Sequence, residues 1–204
     1  MLSKSDHAPR VWIVSGPSGS GKTSLCDALL EDKFWQKRLL KSVSCTTRPM
    51  RNGEVEGKDY VHVTKEAFLK LIKNGALLEH EEIFGFYYGT PKSIINEADV
   101  KGRDLLLCID VKGARSVRSY FGKKVASIFI LPPDVEVLAQ RLKKRSTENK
   151  KDIEKRLKRV KIELSLKKEY DYIVVNDDFD EALKKIKAIL LAKASEGNHV
   201  LRTT

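Results

Sequence analysis

The sequence predicts an α/β fold in which a parallel β-sheet is flanked by helices, and three observations support this prediction. Apolar runs of strand length recur along the chain, at residues 11–14, 105–109, 127–131 and 172–175. Segments with helical periodicity alternate with these runs. A glycine-rich turn joins the first run to the first helical segment. Strands of a parallel sheet read as continuous apolar runs because helices bury both faces of the sheet.

The composition indicates one folded domain. A chain of 204 residues can bury a sizeable core, and its 41% hydrophobic content argues against wholesale disorder. Its apolar runs are far shorter than the roughly 20 residues of a membrane span, and its first residues lack the apolar segment of a secretory signal. The cysteine number and spacing exclude a disulfide framework and a clustered zinc site, since the cysteines are Cys26, Cys45 and Cys108. We therefore expect a cytoplasmic protein without a membrane partner.

The elements of the first half surround the glycine-rich turn. Residues 1–9 are expected to form a flexible leader before the buried strand at 11–14, which is rich in β-branched residues. A helix is expected over 23–30, because its apolar residues fall on one face, namely Leu25, Ala28 and Leu29. A strand over 60–63 and a helix over 65–74 follow. That helix is closed by Gly75, since glycine readily adopts the conformation that ends helices.

The elements of the second half repeat the strand-helix pattern. The three later apolar runs end in turn-forming residues, namely Asp110, the pair Pro132-Pro133, and Asn176. An amphipathic helix is expected over 180–192, because its apolar residues recur at helical spacing. We expect the tail over 193–204 to be frayed, as chain ends often are.

The glycine-rich turn fits the pattern GxxxxGK[ST] at every fixed position. It consists of Gly16, Pro17, Ser18, Gly19, Ser20, Gly21, Lys22 and Thr23, with Ser24 directly after it. Glycines let backbone N–H groups surround a phosphate where side chains would collide, and the helix N-terminus adds its positive dipole end. Lys22 can reach the β- and γ-phosphates of a nucleotide, and the Thr23 hydroxyl can bind Mg²⁺. Strand, loop and helix together favour a P-loop NTPase-like site over a turn without a ligand.

Asp110 follows an apolar run and admits two interpretations. Ligands of open α/β sheets bind beyond the carboxyl ends of the strands, so its carboxylate could bind Mg²⁺ through water or touch a second substrate. Aspartate also favours turns regardless of function, and Gly113 follows three residues later. The pattern alone does not separate these alternatives.

Basic residues are concentrated in one segment. Residues 141–168 hold 13 Lys and Arg against 4 Asp and Glu, so most of the net charge of +11 lies there. A segment of this kind indicates nucleic acid, a membrane surface or nucleotide phosphates nearby, or else a solvated helix face.

The segment after the first helix resembles the signature of the guanylate kinases. Residues 44–60 read SCTTRPMRNGEVEGKDY, similar to the family pattern S-x-T-T-R-x-x-R-x-G-E-x-x-G-x-D-Y. The resemblance continues at Leu78-Glu79-His80, Tyr87-Tyr88-Gly89-Thr90, Ile109-Asp110-Val111-Lys112-Gly113 and Arg141-Leu142-Lys143-Lys144-Arg145. It covers about residues 10–192. It implies a core (10–42, 98–133, 169–192), an inserted mixed α/β lobe that binds GMP (43–97) and a helical lid (134–168).

The resemblance implies that one set of residues binds GMP, namely Ser44, Arg48, Arg51, Tyr60, Glu79, Tyr88, Thr90 and Asp110. The arginines offer planar groups that match a phosphate bidentately, and the tyrosines can donate hydrogen bonds without adding charge. The Glu79 carboxylate can accept hydrogen bonds from N1–H and the C2 amine of guanine. Adenine lacks both donors, so it would leave a buried charge unpaired.

The resemblance also implies how the reaction proceeds with ATP, GMP and Mg²⁺. Arg141 is expected to bind ATP, Asn176 and Asp177 to lie beside the adenine, and Thr23 and Asp110 to hold Mg²⁺, in part through water. The residues expected to stabilise the transferred phosphoryl group are Lys22, Arg51, Arg145 and Arg156. The phosphate of GMP is already mostly a dianion at pH 7, so we expect no general base.

Two other functions fit the sequence less well, and one residue departs from the guanylate kinase pattern. Interaction modules related to guanylate kinases have degraded phosphate loops and lids, whereas this chain has Lys22, Thr23, Arg145 and Arg156. A nucleic-acid-binding protein is disfavoured because aromatic residues are only 7% and no RNA-binding aromatic motif is present. Cys108 stands where many family members have aspartate, which puts any magnesium role of that position in doubt.

Overall fold

The computed structural model describes residues 9–134, 138 and 150–199, without the side chains of 123, 150–156 and 196–199. Its strands are β1 (Val11–Ser15), β2 (Leu39–Lys41), β3 (Ser44–Thr46), β4 (Tyr60–His62), β5 (Leu77–Ile83), β6 (Phe86–Pro91), β7 (Asp104–Cys108), β8 (Val125–Leu131) and β9 (Tyr172–Val175). Its helices are α1 (Lys22–Glu31), α2 (Lys33–Gln36), α3 (Lys65–Lys73), α4 (Ser93–Lys101), α5 (Val111–Phe121), α6 (Lys150–Ser165) and α7 (Phe179–His199).

The strands form two sheets in the described part of the chain. The first has five strands in the order β2-β7-β1-β8-β9, with β2 parallel to β7 and β8 parallel to β9. The second has four strands in the order β4-β3-β6-β5 and is mixed, because β3 runs parallel to β4 but antiparallel to β6. The α/β class with a parallel main sheet is confirmed, as is a second, mixed α/β region.

The chain packs into two compact units, which are the described parts of Met1–Ile13 with Lys37–Ala126 and of Val14–Gln36 with Ser127–Thr204. In the first unit, Phe68 of α3 is fully buried against Cys45 and Leu77 of the mixed sheet. In the second unit, Val160 of α6 packs with Leu138. The middle of β8 is fully buried at Ile128, Phe129 and Ile130. Their burial explains why this strand reads as a continuous apolar run.

The predicted elements occur close to their expected bounds. The first helix has the predicted apolar face, with Leu25 and Leu29 fully buried. Helix α3 begins where the Thr64 side chain accepts a hydrogen bond from the Ala67 N–H, and it ends before Gly75, whose φ is +60°. These are the start and stop signals of an ordinary helix.

The last helix is longer than predicted. It runs from Phe179 to His199, whereas the sequence analysis ended it at 192 and expected a frayed tail from 193. Residues 193–196 (Lys-Ala-Ser-Glu) contain neither glycine nor proline, so nothing in them stops a helix. The predicted helix end at 192 is therefore wrong, whereas the fraying of 193–204 stays a prediction, and the positions after His199 lie outside the described residues. None of the described helices is long and apolar enough to cross a lipid bilayer.

Candidate functional site: a phosphate loop and a buried carboxyl group

The glycine-rich turn, called the phosphate loop from here on, connects β1 to α1 within the second unit. An open concavity of about 200 Å³ is lined by Gly19, Gly21, Lys22, Thr23 and Ser24. Helix α1 begins at Lys22, and no side chain caps its N-terminus among the described residues. The first N–H groups of an α-helix lack partners within the helix, so this end suits an anion. The concavity and the start of the helix therefore lie together where an anion can bind.

Two glycines of the loop are required by their close surroundings. Gly16 and Gly21 have φ values of +149° and +90°, which side-chain-bearing residues rarely adopt. A Cβ at Gly16 would overlap the carbonyl oxygen of Ile130, and one at Gly21 would overlap the side-chain amide of Asn176. The loop is therefore packed on its outer side by β8 and by the residue after β9.

The side chain of Asn176 supports the backbone of the phosphate loop. Its Nδ2 donates a hydrogen bond of 2.7 Å to the carbonyl oxygen of Ser20, and its own N–H donates to Leu131. The side chain is buried, whereas the neighbouring Asp177 is exposed. Of the pair predicted to lie beside adenine, Asn176 has a role in holding the loop. Contact of either residue with a nucleotide stays a prediction.

The structure describes only some of the cationic residues that are predicted to act on the phosphates. Lys22 Nζ lies 3.4 Å from the carbonyl oxygen of Pro17, so its side chain lies against the loop. Arg141 and Arg145 lie outside the described residues. Arg156 belongs to α6, but its side chain is outside the description. The lid arginines therefore stay predictions.

A second group of predicted residues lies in the first unit, around Arg48. This arginine is only 7% exposed, and its Nη2 donates a hydrogen bond of 2.6 Å to Glu54 Oε1. The other Glu54 oxygen accepts from the backbone N–H of Arg51 at 2.8 Å. Burial opposes ionisation of Glu54, but the hydrogen bonds from Arg48 and Arg51 outweigh it and lower its pKa. Glu54 thus aligns the segment that carries both arginines, a role the sequence analysis did not assign.

Two tyrosines complete the surroundings of Arg48. The guanidinium carbon lies 5.4 Å from the centre of the Tyr60 ring, and the Tyr60 and Tyr88 rings meet edge to face at 6.0 Å. Burial, with smaller contributions from Cys108 and Tyr88, raises the pKa of Tyr60 to about 12. Its phenol group therefore stays neutral at physiological pH and keeps its donor proton. The cationic Arg48 side chain therefore has two phenol groups close by, those of Tyr60 and Tyr88.

Glu79 is the buried carboxyl group of the first unit. It lies on β5, where a β-bulge between Leu77 and Glu79 interrupts the pairing with β6. Leu77, Leu78 and Glu79 are all buried, although alternate residues of a regular strand point to opposite faces. Because of the bulge, Glu79 pairs with Thr90 of β6 and is buried there.

The carboxyl group of Glu79 accepts a hydrogen bond from a threonine hydroxyl. Thr90 Oγ1 donates to Glu79 Oε1 at 2.7 Å, and Ser44 Oγ lies 3.4 Å from Thr90 Oγ1. The pKa of Glu79 is raised to about 7, chiefly by burial, with Asp110 contributing like charge while the Thr90 bond opposes the shift. The structure thus brings together Ser44, Glu79 and Thr90. Near neutral pH the carboxyl group changes readily between its neutral and charged forms.

Asp110 caps helix α5. Its Oδ1 accepts a hydrogen bond of 2.8 Å from the Gly113 N–H, as the turn-forming alternative predicts. This contact occupies one oxygen, and a role in binding GMP or Mg²⁺ stays a prediction. Cys108, at the end of β7, is half-buried. Sequence reasoning missed Gly113 itself, although a glycine inside a helix, where it weakens the helix, was a signal.

This chain is similar to guanylate kinases in both sequence and structure. A sequence model described as guanylate kinase matches residues 8–193. A guanylate kinase of Caldanaerobacter subterraneus is 44% identical over 89% of this chain and 86% of its own length. One of Vibrio cholerae is 48% identical over 90% of this chain and 87% of its own length. The crystal structure of guanylate kinase from Anaplasma phagocytophilum superposes with a TM-score of 0.75 and 38% identity, covering 91% of this chain and 86% of that one. The chain therefore belongs to the guanylate kinase family.

Proposed function

We propose that this chain transfers the γ-phosphoryl group of ATP to GMP, giving ADP and GDP in purine nucleotide metabolism. The observation that carries the proposal is Glu79, a buried carboxyl group hydrogen-bonded to a threonine in a chain of the guanylate kinase family. A carboxylate in this position pairs with a purine edge that offers two donors. Guanine offers such an edge at N1 and the C2 amine, whereas adenine does not.

The guanine base is bound in this proposal by Glu79, Thr90 and Ser44, with Asp110 close to the same carboxyl group. Thr90 already uses its proton on Glu79, so its oxygen is left to accept a hydrogen bond. The purine donors stabilise the charged form of Glu79, which burial disfavours. GMP binding is therefore coupled to the loss of a proton from this carboxyl group.

The phosphate of GMP is bound in this proposal by Arg48, Arg51, Tyr60 and Tyr88. Arg48 is held by Glu54 through Nη2, and Arg51 is exposed at the start of the same turn. Two guanidinium groups supply the charge, and the neutral phenol of Tyr60 adds a donor without a further charge. This arrangement favours a nucleoside monophosphate over a nucleoside.

ATP is bound in this proposal by the phosphate loop, from Gly16 to Ser24, with Arg141 and Asp177 as further contacts. The N–H groups at the start of α1 and the Lys22 ammonium face the phosphates. Mg²⁺ would arrive with ATP, and the Thr23 hydroxyl is the loop's oxygen ligand for it, with Asp110 acting through water. Hydroxyl and carboxylate oxygens are the donors that Mg²⁺ prefers. When bound, the ion neutralises charge on the phosphates.

The transfer step is a displacement at the γ-phosphorus. An oxygen of the GMP phosphate forms the new P–O bond, the bond to the β-phosphate oxygen breaks, and ADP leaves with the electron pair. Lys22, Arg51, Arg145 and Arg156 are assigned to the charge on the group in transfer, in a lid proposed to span 134–168. The attacking oxygen belongs to a dianion at pH 7, so this chain's residues need not remove a proton.

The test is a coupled assay of ADP release with ATP, Mg²⁺ and each of GMP, AMP, CMP and UMP. We expect turnover with GMP and little with the others, and loss of turnover in Lys22→Ala. Equal activity with AMP and GMP would remove Glu79 from its role, and binding of both nucleotides without turnover would refute the proposal. We place this activity in the cytoplasm, where Cys26, Cys45 and Cys108 would stay reduced.

A further inference from the structure

Gly113 of α5 lies directly against the carboxyl group of Glu79. A Cβ built at Gly113 would come within 2.7 Å of Glu79 Oε2, 3.0 Å of Glu79 Cδ and 3.3 Å of Asp110 Oδ1. Contacts under 3.0 Å to a Cβ require something to move. The missing side chain at Gly113 is therefore what gives the carboxyl group its position above the first turn of α5.

We propose that Gly113 is a positioning residue for purine recognition, because its bare backbone lets the Glu79 carboxyl group sit where guanine's donors meet it. The inference rests on the proposed function. It adds a residue that touches neither nucleotide in the proposal and acts through Glu79. It also explains why a glycine stands inside a helix at a position whose φ is not positive.

Helix propensity argues against an ordinary structural role for this glycine. Alanine in place of glycine inside a helix stabilises it by about 0.5–1 kcal/mol. Neither backbone strain nor a turn requires glycine at 113, whereas Gly102 and Gly122 at helix ends have positive φ. The close atoms at 113 are side-chain oxygens and carbon of Glu79 and Asp110. The requirement for glycine therefore comes from the carboxyl groups of the site.

Helix α5 is fixed more firmly in the core than the Glu79 carboxyl group is in its site. Val111, Ala114 and Val117 are all at most 3% exposed, so they fix α5 in the core of its unit. The Glu79 carboxyl group is the far end of a flexible side chain, and Thr90 holds one of its oxygens. In Gly113→Ala the carboxyl group, rather than the helix, is therefore displaced.

The experiment is to measure steady-state kinetics of Gly113→Ala with ATP and GMP. We expect the KM for GMP to rise about tenfold, the loss of about one well-formed hydrogen bond to a charged group. The KM for ATP should stay at its wild-type value, and the unfolding temperature should be at least as high as that of wild type. Ser116→Ala is the matched control, because it changes an exposed residue one turn later on the same helix. It should leave both KM values unchanged.

A double-mutant comparison separates positioning from packing. In Glu79→Ala no carboxyl group remains to be displaced, so adding Gly113→Ala should change the KM for GMP less than twofold. An unchanged KM in the single variant would overturn the inference, as would the same tenfold increase in the Glu79→Ala background. Unfolding of Gly113→Ala, or an equal rise in the KM for ATP, would show that the glycine serves the fold and would overturn it too. A wild-type protein without ATP:GMP turnover would instead refute the proposed function.

Discussion

Replacing Glu79 with glutamine separates two consequences of burying this carboxyl group, namely recognition of guanine and a cost in stability. Glutamine has nearly the same shape as glutamate and keeps an oxygen that can accept the hydrogen bond from Thr90. This bond is 2.7 Å long in the wild-type protein. Its NH₂ group replaces the second acceptor oxygen with a donor. The substitution therefore changes charge and hydrogen bonding and leaves the packing of β5 almost unchanged.

The affinity for GMP should fall. One of guanine's two donors would face the amide NH₂, and the other would meet a neutral oxygen in place of a charged one. Loss of a hydrogen bond to a charged group costs about 1.5–3 kcal/mol, which corresponds to roughly a tenfold to hundredfold weaker Kd. ATP affinity should be unchanged, because Glu79 and the phosphate loop belong to different units.

The stability of the nucleotide-free protein should change in the opposite direction, and only at higher pH. Burial raises the pKa of Glu79 from 4.5 to about 7, so the folded state resists ionisation that the unfolded state permits. Wild-type stability is therefore lost as the pH rises from 4.5 to 7. Between pH 5 and pH 8 the loss is about 2 kcal/mol, or roughly 4–8 °C in unfolding temperature for a chain of this size. Glu79→Gln cannot ionise and should escape this loss.

Two measurements decide the matter. Calorimetric titration with GMP gives the affinity, and thermal unfolding of both proteins at pH 5 and pH 8 gives the stability difference. Weaker GMP binding together with a stability gain that grows with pH supports the reasoning. Wild-type affinity in Glu79→Gln, or a stability difference equal at the two pH values, would refute it.

Three further predictions follow from the same contacts. The apparent Kd of wild type for GMP should rise about tenfold from pH 8 to pH 6 because Glu79 must lose its proton, and Glu79→Gln should show only the smaller effect of the substrate's phosphate. Gly21→Ala should weaken ATP binding at least tenfold, as seen by nucleotide titration, whereas Gly85→Ala, with similar φ and open space around its Cβ, should not. Arg48→Lys should raise the KM for GMP about tenfold by losing the planar contact and the bond to Glu54, and an unchanged KM would contradict this role.

The strands that are buried on both faces could be predicted from the sequence, whereas the hairpin that carries Glu79 could not. β1 begins at the predicted residue and extends one residue further, to Ser15, and all five of its residues are buried. β5 contains Glu79, His80, Glu81 and Glu82, and its bulge disrupts the alternation that would have indicated a strand. The turn at Phe84 and Gly85 has positive φ at both residues, the conformation of a type I′ turn, in which a phenylalanine is not expected.

Site residues that belong to a contiguous motif could be predicted from the sequence, whereas site residues defined by a contact between distant elements could not. The phosphate loop could be predicted because its residues are adjacent in sequence. Gly113 and Glu79 are separated by a helix and two strands, so their contact depends on how β5 and α5 pack in one unit. Likewise, Glu54 is part of the recognised motif, but its hydrogen bonds to both arginine positions are visible only in the structure.

The same burial explains both the selectivity and the pH response expected of Glu79. An exposed carboxylate discriminates weakly between purines, because water can replace any hydrogen bond that the wrong base fails to make. Burial removes that alternative and raises the pKa of Glu79, so the charged form is favourable only when two donors face it. Adenine has neither N1–H nor a C2 amine, so with adenine the carboxyl group would stay protonated or would carry its charge without these two donors. Above pH 7, ionisation of the buried Glu79 lowers the free energy of unfolding. Guanine binding recovers part of this free energy, because its two donors stabilise the charged form. The stability cost and the selectivity therefore both measure how poorly the protein alone stabilises the charged Glu79.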